Sequence, residues 1–201
     1  MAITADQIKT LRAETGAGVL DCRKALEQAN GDFSAALEFL REKGLAKAAK
    51  RAEREASEGV VELYSHGNGR VGVMVEVNSE SDFVARSEVF RKFAHEVALQ
   101  IAAAAPHYVH PEQIPAEMLE NERAKARRQA FEAEKSANEA ESLAESRIEK
   151  YLEEVCLLRQ PYIRDESITV EKLLHQAIVS LGENIVIRRF ARWEVGESST
   201  V

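Results

Sequence analysis

Residues 59–78 read GVVELYSHGNGRVGVMVEVN, and the fold turns on how this stretch is read. Val71, Val73, Val75 and Val77 alternate with Gly72, Met74, Glu76 and Asn78. A period of two sends alternate side chains to opposite faces of an extended chain, so GVVELYSH (59–66) and RVGVMVEVN (70–78) are expected strands. Between them HGNGR (66–70) has the Gly/Asn chemistry of a hairpin turn. On both sides of the hairpin, apolar residues recur at helical spacing. Helices around a small, hairpin-based sheet make an α+β fold. The second strand then runs into NSESD (78–82), a run built for solvent, and Phe83 follows at once. A large apolar ring beside Asp82, at a loop-to-helix junction, is out of place in a quiet loop.

Toward the N-terminus three short helices are expected. Thr4 and Gln7 match a capping box, Ile8 and Leu11 supply an apolar face, and Gly16 ends the first helix. Val19, Cys22 and Leu26 mark the second, which stops at Asn30-Gly31. Asp32 can cap the third, along which Phe33, Leu37 and Leu40 recur. Gly44 is expected to interrupt it, before an Ala- and Lys-rich helix continues to about Ser57. A bundle this small needs a compact core. Residues 1–54 are accordingly assigned as a three-helix docking module with a linker helix, and residues 55–201 as an α+β core.

Downstream of Phe83 a helix is expected from about Ala85 to Ala105, with Val89, Phe93, Val97 and Ile101 at i, i+4 steps. Pro106, Pro111 and Pro115 mark a loop. Residues 116–158 are helix-forming and charge-rich, with an apolar stripe at Ile148, Leu152, Val155 and Leu158. The segment EAEKSANEAESLAES (132–146) is nearly all polar or Ala. A helical hairpin projecting from the domain, an excursion over about 116–158, is expected. TVEKLLHQAIVSLG (169–182) reads as a helix with Gly182 after its end, and NIVIRRFARWEV (184–195) as a terminal strand.

Composition narrows the function classes. An apolar content of 45% and a charged content of 30% over 201 residues suit a globular chain. No apolar run approaches the roughly 18 residues of a membrane-spanning helix. The start, MAITADQIKTL, lacks the basic and apolar regions of a secretory signal. Cys22 and Cys156 are too few for a disulfide framework and too far apart for a CxxC site, so a reducing cytoplasm is the expected setting. The net charge of −7 is uneven: residues 1–54 hold 10 Lys/Arg against 8 Asp/Glu. The excess concentrates in KGLAKAAKRAER (43–54), which could track a nucleic acid. Without interleaved aromatics for base stacking it reads instead as a solvated connector, and no direct nucleic-acid contact is expected.

Tests for an enzyme fail one by one. GNGRVG (67–72) matches G-x-G-x-x-G, but a dinucleotide loop must lead from a strand into a helix, and here a strand follows. A kinase-type glycine loop does lie between strands, yet V-A-I-K and H-R-D are missing and DFV (82–84) lacks the glycine of D-F-G. His107 and His110, in HYVH, have no zincin spacing and no carboxylate to complete a metal set. Cys156 falls on an apolar stripe and reads as a small packed hydrophobe. Cys22 follows Asp21, an anion that disfavours a thiolate. No catalytic residue, metal site or cofactor is expected.

Two segments carry a resemblance. LRAETGAGVLDCRKALEQANGD (11–32) and EVNSESDFVAR (76–86) closely resemble the two signature regions of the bacterial elongation factor Ts family. KGLAKAAKRAEREASEGVV (43–61), GRVGVMVEVN (69–78) and GENIVIRRFARWEVG (182–196) extend the similarity in order along nearly the whole chain. Ser81 stands where the family usually has Thr, a change that keeps the hydroxyl of a helix cap. Arg23 stands for the usual Lys, and KSANEAES and ESR replace the turn sequences usual in the helical excursion. Longer relatives hold the core module twice. The resemblance therefore implies a short form with one copy, of the kind that pairs into a homodimer.

The resemblance also implies roles. The family exchanges guanine nucleotide on elongation factor Tu, binding its GDP and nucleotide-free forms. The N-terminal module is expected to be a ubiquitin-associated-like bundle that docks on the partner's nucleotide-binding domain through Lys9, Arg12, Val19 and Leu20. Core packing is the alternative for Val19 and Leu20, and simple solvation for the two cations. His66 matches a docking histidine of longer relatives, or is an ordinary turn residue. Ser81, Asp82, Phe83 and Val84 match the element that dislocates the partner's Mg²⁺. Phe83 is then a wedge; the alternative makes it a staple packed on Val89 or Phe90 of the following helix. A protein-adaptor bundle, an RNA binder using 43–54 and a nucleotide-binding enzyme using GNGRVG are the rival classes.

Overall fold

A computed structural model describes residues 3–197. The described helices are α1 (Ala5–Thr15), α2 (Val19–Gln28), α3 (Phe33–Arg51), α4 (Asp82–Ala85), α5 (Glu88–Ala104), α6 (Ala116–Glu132), α7 (Ala137–Val155) and α8 (Val170–Leu181). The strands are β1 (Glu58–His66), β2 (Val71–Ser79), β3 (Pro161–Tyr162), β4 (Asp165–Thr169) and β5 (Val186–Glu194). One sheet has the order β1-β2-β5, and a second pairs β3 with β4 antiparallel. The fold is α+β. Contacts group the chain into two compact units. The first takes Met1–Glu62, Glu76–His95 and Lys172–Ile187, and the second Leu63–Val75, Glu96–Glu171 and Arg188–Val201.

In the first unit, α1 opens with the expected capping box. The Gln7 N–H donates to Thr4 Oγ1 at 3.2 Å, and the Thr4 N–H donates to Gln7 Oε1 at 2.9 Å. Each bond satisfies a donor that a helix start otherwise leaves open. Gly16 closes the helix in the left-handed conformation, and Asp32 Oδ1 accepts the Ala35 N–H at the head of α3. Leu11, Cys22, Ala25, Leu26, Ala36 and Leu40 form the core, with Ile8, Phe33 and Leu37 packed around it. A buried leucine of this kind contributes about 1.5–3 kcal/mol.

Two expectations in this unit are corrected. Gly44 does not interrupt α3, which runs unbroken to Arg51 and stops short of Ser57. A helix tolerates one glycine at a cost of about 1 kcal/mol. Here the missing side chain has a use, because a Cβ on Gly44 would lie 3.0 Å from Val179 Cγ2 on α8. The helix expected from about Ala85 to Ala105 is α5, which starts at Glu88, and a separate four-residue helix, α4, precedes it. Ser87 separates them: its Oγ donates to the Val84 carbonyl at 2.8 Å and accepts the Phe90 N–H at 3.3 Å. One hydroxyl thus closes the first helix and caps the second. The apolar face of α5 shifts with it, since Phe90 is fully buried and Val89 is 53% exposed.

The second unit contains the expected hairpin turn, with Gly67, Asn68 and Gly69 at φ of 60°, 55° and 84°. Positive φ at three successive residues explains Gly and Asn there and makes GNGRVG a turn. Val71, Val73 and Val75 of β2 are buried. The helical excursion is an antiparallel pair, α6 and α7. Ala126, Ala130, Ala144, Ile148 and Leu152 are buried in these helices, and the alanines allow close approach of the backbones. Ser136 and Glu139 form a capping box at the start of α7. Val155 is only partly buried, and Leu158 packs from a 3₁₀ turn beyond α7. The β3–β4 hairpin has no clear signal in the sequence; Gln100 braces it, accepting the Ile163 N–H at 2.9 Å and donating to the Pro161 carbonyl at 3.1 Å.

Candidate functional site

Where β2 ends, the chain is held at every step. Asn78 is buried, and its amide donates to the Glu58 carbonyl at 3.2 Å. Ser79 Oγ donates to the Ser81 carbonyl at 3.0 Å. Ser81 is extended (φ −128°, ψ 153°) and caps α4, its Oγ accepting the Val84 N–H at 3.4 Å. The hydroxyl that stands for the usual Thr therefore does serve as a helix cap.

Two further partners fix the same turn. The Ser81 N–H donates to Glu183 Oε2 at 3.0 Å, and its hydroxyl donates to Glu183 Oε1 at 2.6 Å. Glu80 Oε1 accepts the Asn184 N–H at 2.6 Å, and Glu80 Oε2 meets Arg54 Nη1 at 3.4 Å. Sequence reasoning missed Glu80, Glu183 and Asn184. The pairs lie more than 100 positions apart, and nothing local in GEN (182–184) announces them.

On this braced turn Phe83 is 87% exposed. Phe90, the staple partner weighed above, is spent on the core. Asp82 is exposed and paired to Arg86 at 3.0 Å, one helical turn on. Val84 is half-buried and Ala85 buried, so α4 is anchored by one face and presents its aromatic on the other. An apolar ring held in water on a fixed turn is suited to burial in something else.

The other sequence-selected residues are placed as follows. Lys9 and Arg12 lie exposed on α1, without an ion pair among the described residues. Val19 is 50% and Leu20 73% exposed at the start of α2, so neither is core, in contrast to Cys22 three and two positions later. All four sit in the first unit with Ser81–Val84. His66 belongs to the second unit, exposed at the end of β1, its Nδ1 3.1 Å from the Tyr64 hydroxyl. In the basic run, Lys43 pairs with Asp21, Arg51 donates to the Ile178 carbonyl and Arg54 meets Glu80. The side chain of Lys47 lies outside the described residues.

Burial pushes both thiols, Cys22 and Cys156, above their ordinary range, away from nucleophilic use. Among the described residues no group of three or more His, Cys, Asp or Glu side chains could hold a metal ion. No described helix is long and apolar enough to cross a membrane.

Fold and surface together define an α+β protein that carries exposed apolar side chains at helix starts, Leu20 on α2 and Phe83 on the Ser81-capped α4. Comparison with known proteins gives this class a family. The elongation factor TS family model matches residues 21–197. The chain is 55% identical to elongation factor Ts of Carboxydothermus hydrogenoformans, over 97% of this chain and 90% of that one. It is also 55% identical to elongation factor Ts of Caldanaerobacter subterraneus subsp. tengcongensis, over 97% and 98%. A third relative, from Acetivibrio thermocellus, is 50% identical over 97% and 91%. The chain belongs to the elongation factor Ts family.

Proposed function

We propose that the protein is a guanine-nucleotide exchange factor for elongation factor Tu, acting in translation elongation in the cytoplasm. The observation that carries this reading is Phe83, held almost bare in solvent on a doubly clamped turn in a chain of this family. The partner holds its nucleotide with a Mg²⁺, an ion that demands near-ideal octahedral geometry, so a small displacement of its surroundings is costly. Phe83, flanked by Ser81, Asp82 and Val84, enters between partner helices, where a ring buries a large area at little conformational cost. Asp82 exchanges its exposed pairing with Arg86 for a hydrogen bond in the shifted arrangement. The magnesium site is disturbed, the phosphate-binding backbone relaxes, and GDP leaves.

Linkage limits the process. Factor and nucleotide weaken each other by the same ratio, so rebinding of GTP releases the factor. The protein performs no covalent chemistry and needs no cofactor of its own. Lys9, Arg12, Val19 and Leu20 dock the module of residues 1–54 on the nucleotide-binding domain, and His66 gives a contact from the core of residues 55–201. The chain pairs into a homodimer, a reading supported by Leu63, Met74 and Trp193, which the second unit leaves exposed. The engaged cations of the basic run favour a connector over an RNA contact. The test is stopped-flow release of labelled GDP from elongation factor Tu. Substoichiometric protein should accelerate release, and an unchanged rate overturns the reading.

A further inference from the structure

We propose that Glu183 is a positioning residue for the exchange turn, clamping Ser81 so that Phe83 is presented in one direction. This rests on the exchange function proposed above. Phe83 cannot orient itself, because it is 87% exposed and packs on almost nothing. Nor can α4, which has four residues, too few for a helix to persist alone. The direction of the ring is therefore set by the residue that starts the helix, and Ser81 is held twice by one carboxylate, through its N–H at 3.0 Å and its hydroxyl at 2.6 Å. Two bonds from a planar carboxylate restrict rotation as well as translation, and both are charge-assisted.

The clamp is reciprocal. The side chain before Ser81, Glu80, accepts the backbone N–H of the residue after Glu183, Asn184, at 2.6 Å. Each turn thus holds the other by a carboxylate on a backbone amide. Asn184 is buried, and its side-chain amide donates to the Arg54 carbonyl at 2.8 Å and the Ala52 carbonyl at 3.4 Å. Arg54 Nη1 returns to Glu80 at 3.4 Å. The exchange turn, the turn after α8 and the chain leaving α3 therefore form one closed set of hydrogen bonds. α3 belongs to the bundle that carries Lys9, Arg12, Val19 and Leu20, so the same set holds the wedge in register with the docking residues of that unit.

The experiment uses the full chain with Glu183→Ala, Phe83→Ala and the double variant, and Ser81→Ala as a milder break should Glu183→Ala fold poorly. In stimulated GDP release, Glu183→Ala should lower the maximal rate about tenfold and leave the half-saturating concentration within about twofold, a split expected when only transition-state contacts are lost. Added to Phe83→Ala it should cost nothing more, because it acts through that ring. ¹⁵N relaxation of the free protein should show lower order at Asp82–Val84 in Glu183→Ala. Additive losses in the double variant, or unchanged order in Glu183→Ala, overturn the clamp. Lower order with wild-type release by Phe83→Ala overturns instead the exchange reading, and with it the positioning role.

Discussion

Arg147 Nε lies 2.9 Å from Glu122 Oε2, a carboxylate almost wholly buried between α6 and α7. Lys125 Nζ meets the other oxygen at 2.6 Å, and Arg147 reaches on to Glu154 at 3.1 Å. A seam of alanines can slide, and a buried carboxylate held by two partly exposed cations gives it one register. The Lys125 hydrogen bond, aided by Arg147 and opposed by burial, holds the Glu122 carboxyl below the ordinary carboxylate range. A carboxyl depressed in the folded state contributes stability that is present above its unfolded value, about 4.3, and is lost as pH falls through the folded value. Glu122→Gln should therefore cost about 1–3 kcal/mol in denaturant unfolding at pH 7, and the gap from wild type should narrow at pH 3. A pH-independent gap would remove the electrostatic account.

Phe83→Ala should slow stimulated GDP release by about tenfold or more, the equivalent of some 1.4 kcal/mol of transition-state stabilisation. Its melting temperature should stay within about 1 °C of wild type, because a bare ring contributes little to the core. A large drop in melting temperature with a normal rate would return Phe83 to a structural role.

Docking and wedging should separate kinetically. Leu20→Ala should raise the half-saturating concentration of the factor by about tenfold and leave the maximal rate near wild type, the signature of lost uniform binding. Lys9→Ala with Arg12→Ala should weaken association more at low salt than at high, since exposed charges act through a screened field. Titration of the release rate at two ionic strengths reads both effects.

Tyr162 supplies an alkaline counterpart. Its hydroxyl donates to Glu96 Oε2 at 2.7 Å, and Arg164 Nε meets the same oxygen at 2.5 Å. Burial, with the Glu96 hydrogen bond and charge, pushes the phenol up to about 12. A group raised in the folded state gives stability that is complete below its unfolded value, about 10, and is lost as pH rises through the folded one. Wild type should lose about 2 kcal/mol relative to Tyr162→Phe between pH 10 and pH 12, measured by urea unfolding of both proteins. Parallel curves would contradict it.

Much of the architecture is legible in short stretches, for a local reason. The capping box of Thr4 and Gln7, the positive-φ turn at Gly67–Gly69 and the alternation of β2 each need only neighbours in the chain. Errors fall where a distant partner, or the direction of one side chain, decides. Gly44 reads as a helix breaker until Val179 is seen against it, and the break between α4 and α5 depends on which way one serine hydroxyl points.

By itself the sequence determines the α+β class, the order of most elements and, through LRAETGAGVLDCRKALEQANGD and EVNSESDFVAR, the family. It also marks Phe83 as a ring with no local reason to be there. Only the tertiary structure decides that this ring stands in solvent and not on Val89 or Phe90. Burial is set by which surfaces meet, not by any residue's own polarity. The tertiary structure alone also brings Glu183 to Ser81 and Asn184 to Glu80. A hydrogen bond across more than 100 residues leaves no trace in periodicity, because it is made by the fold.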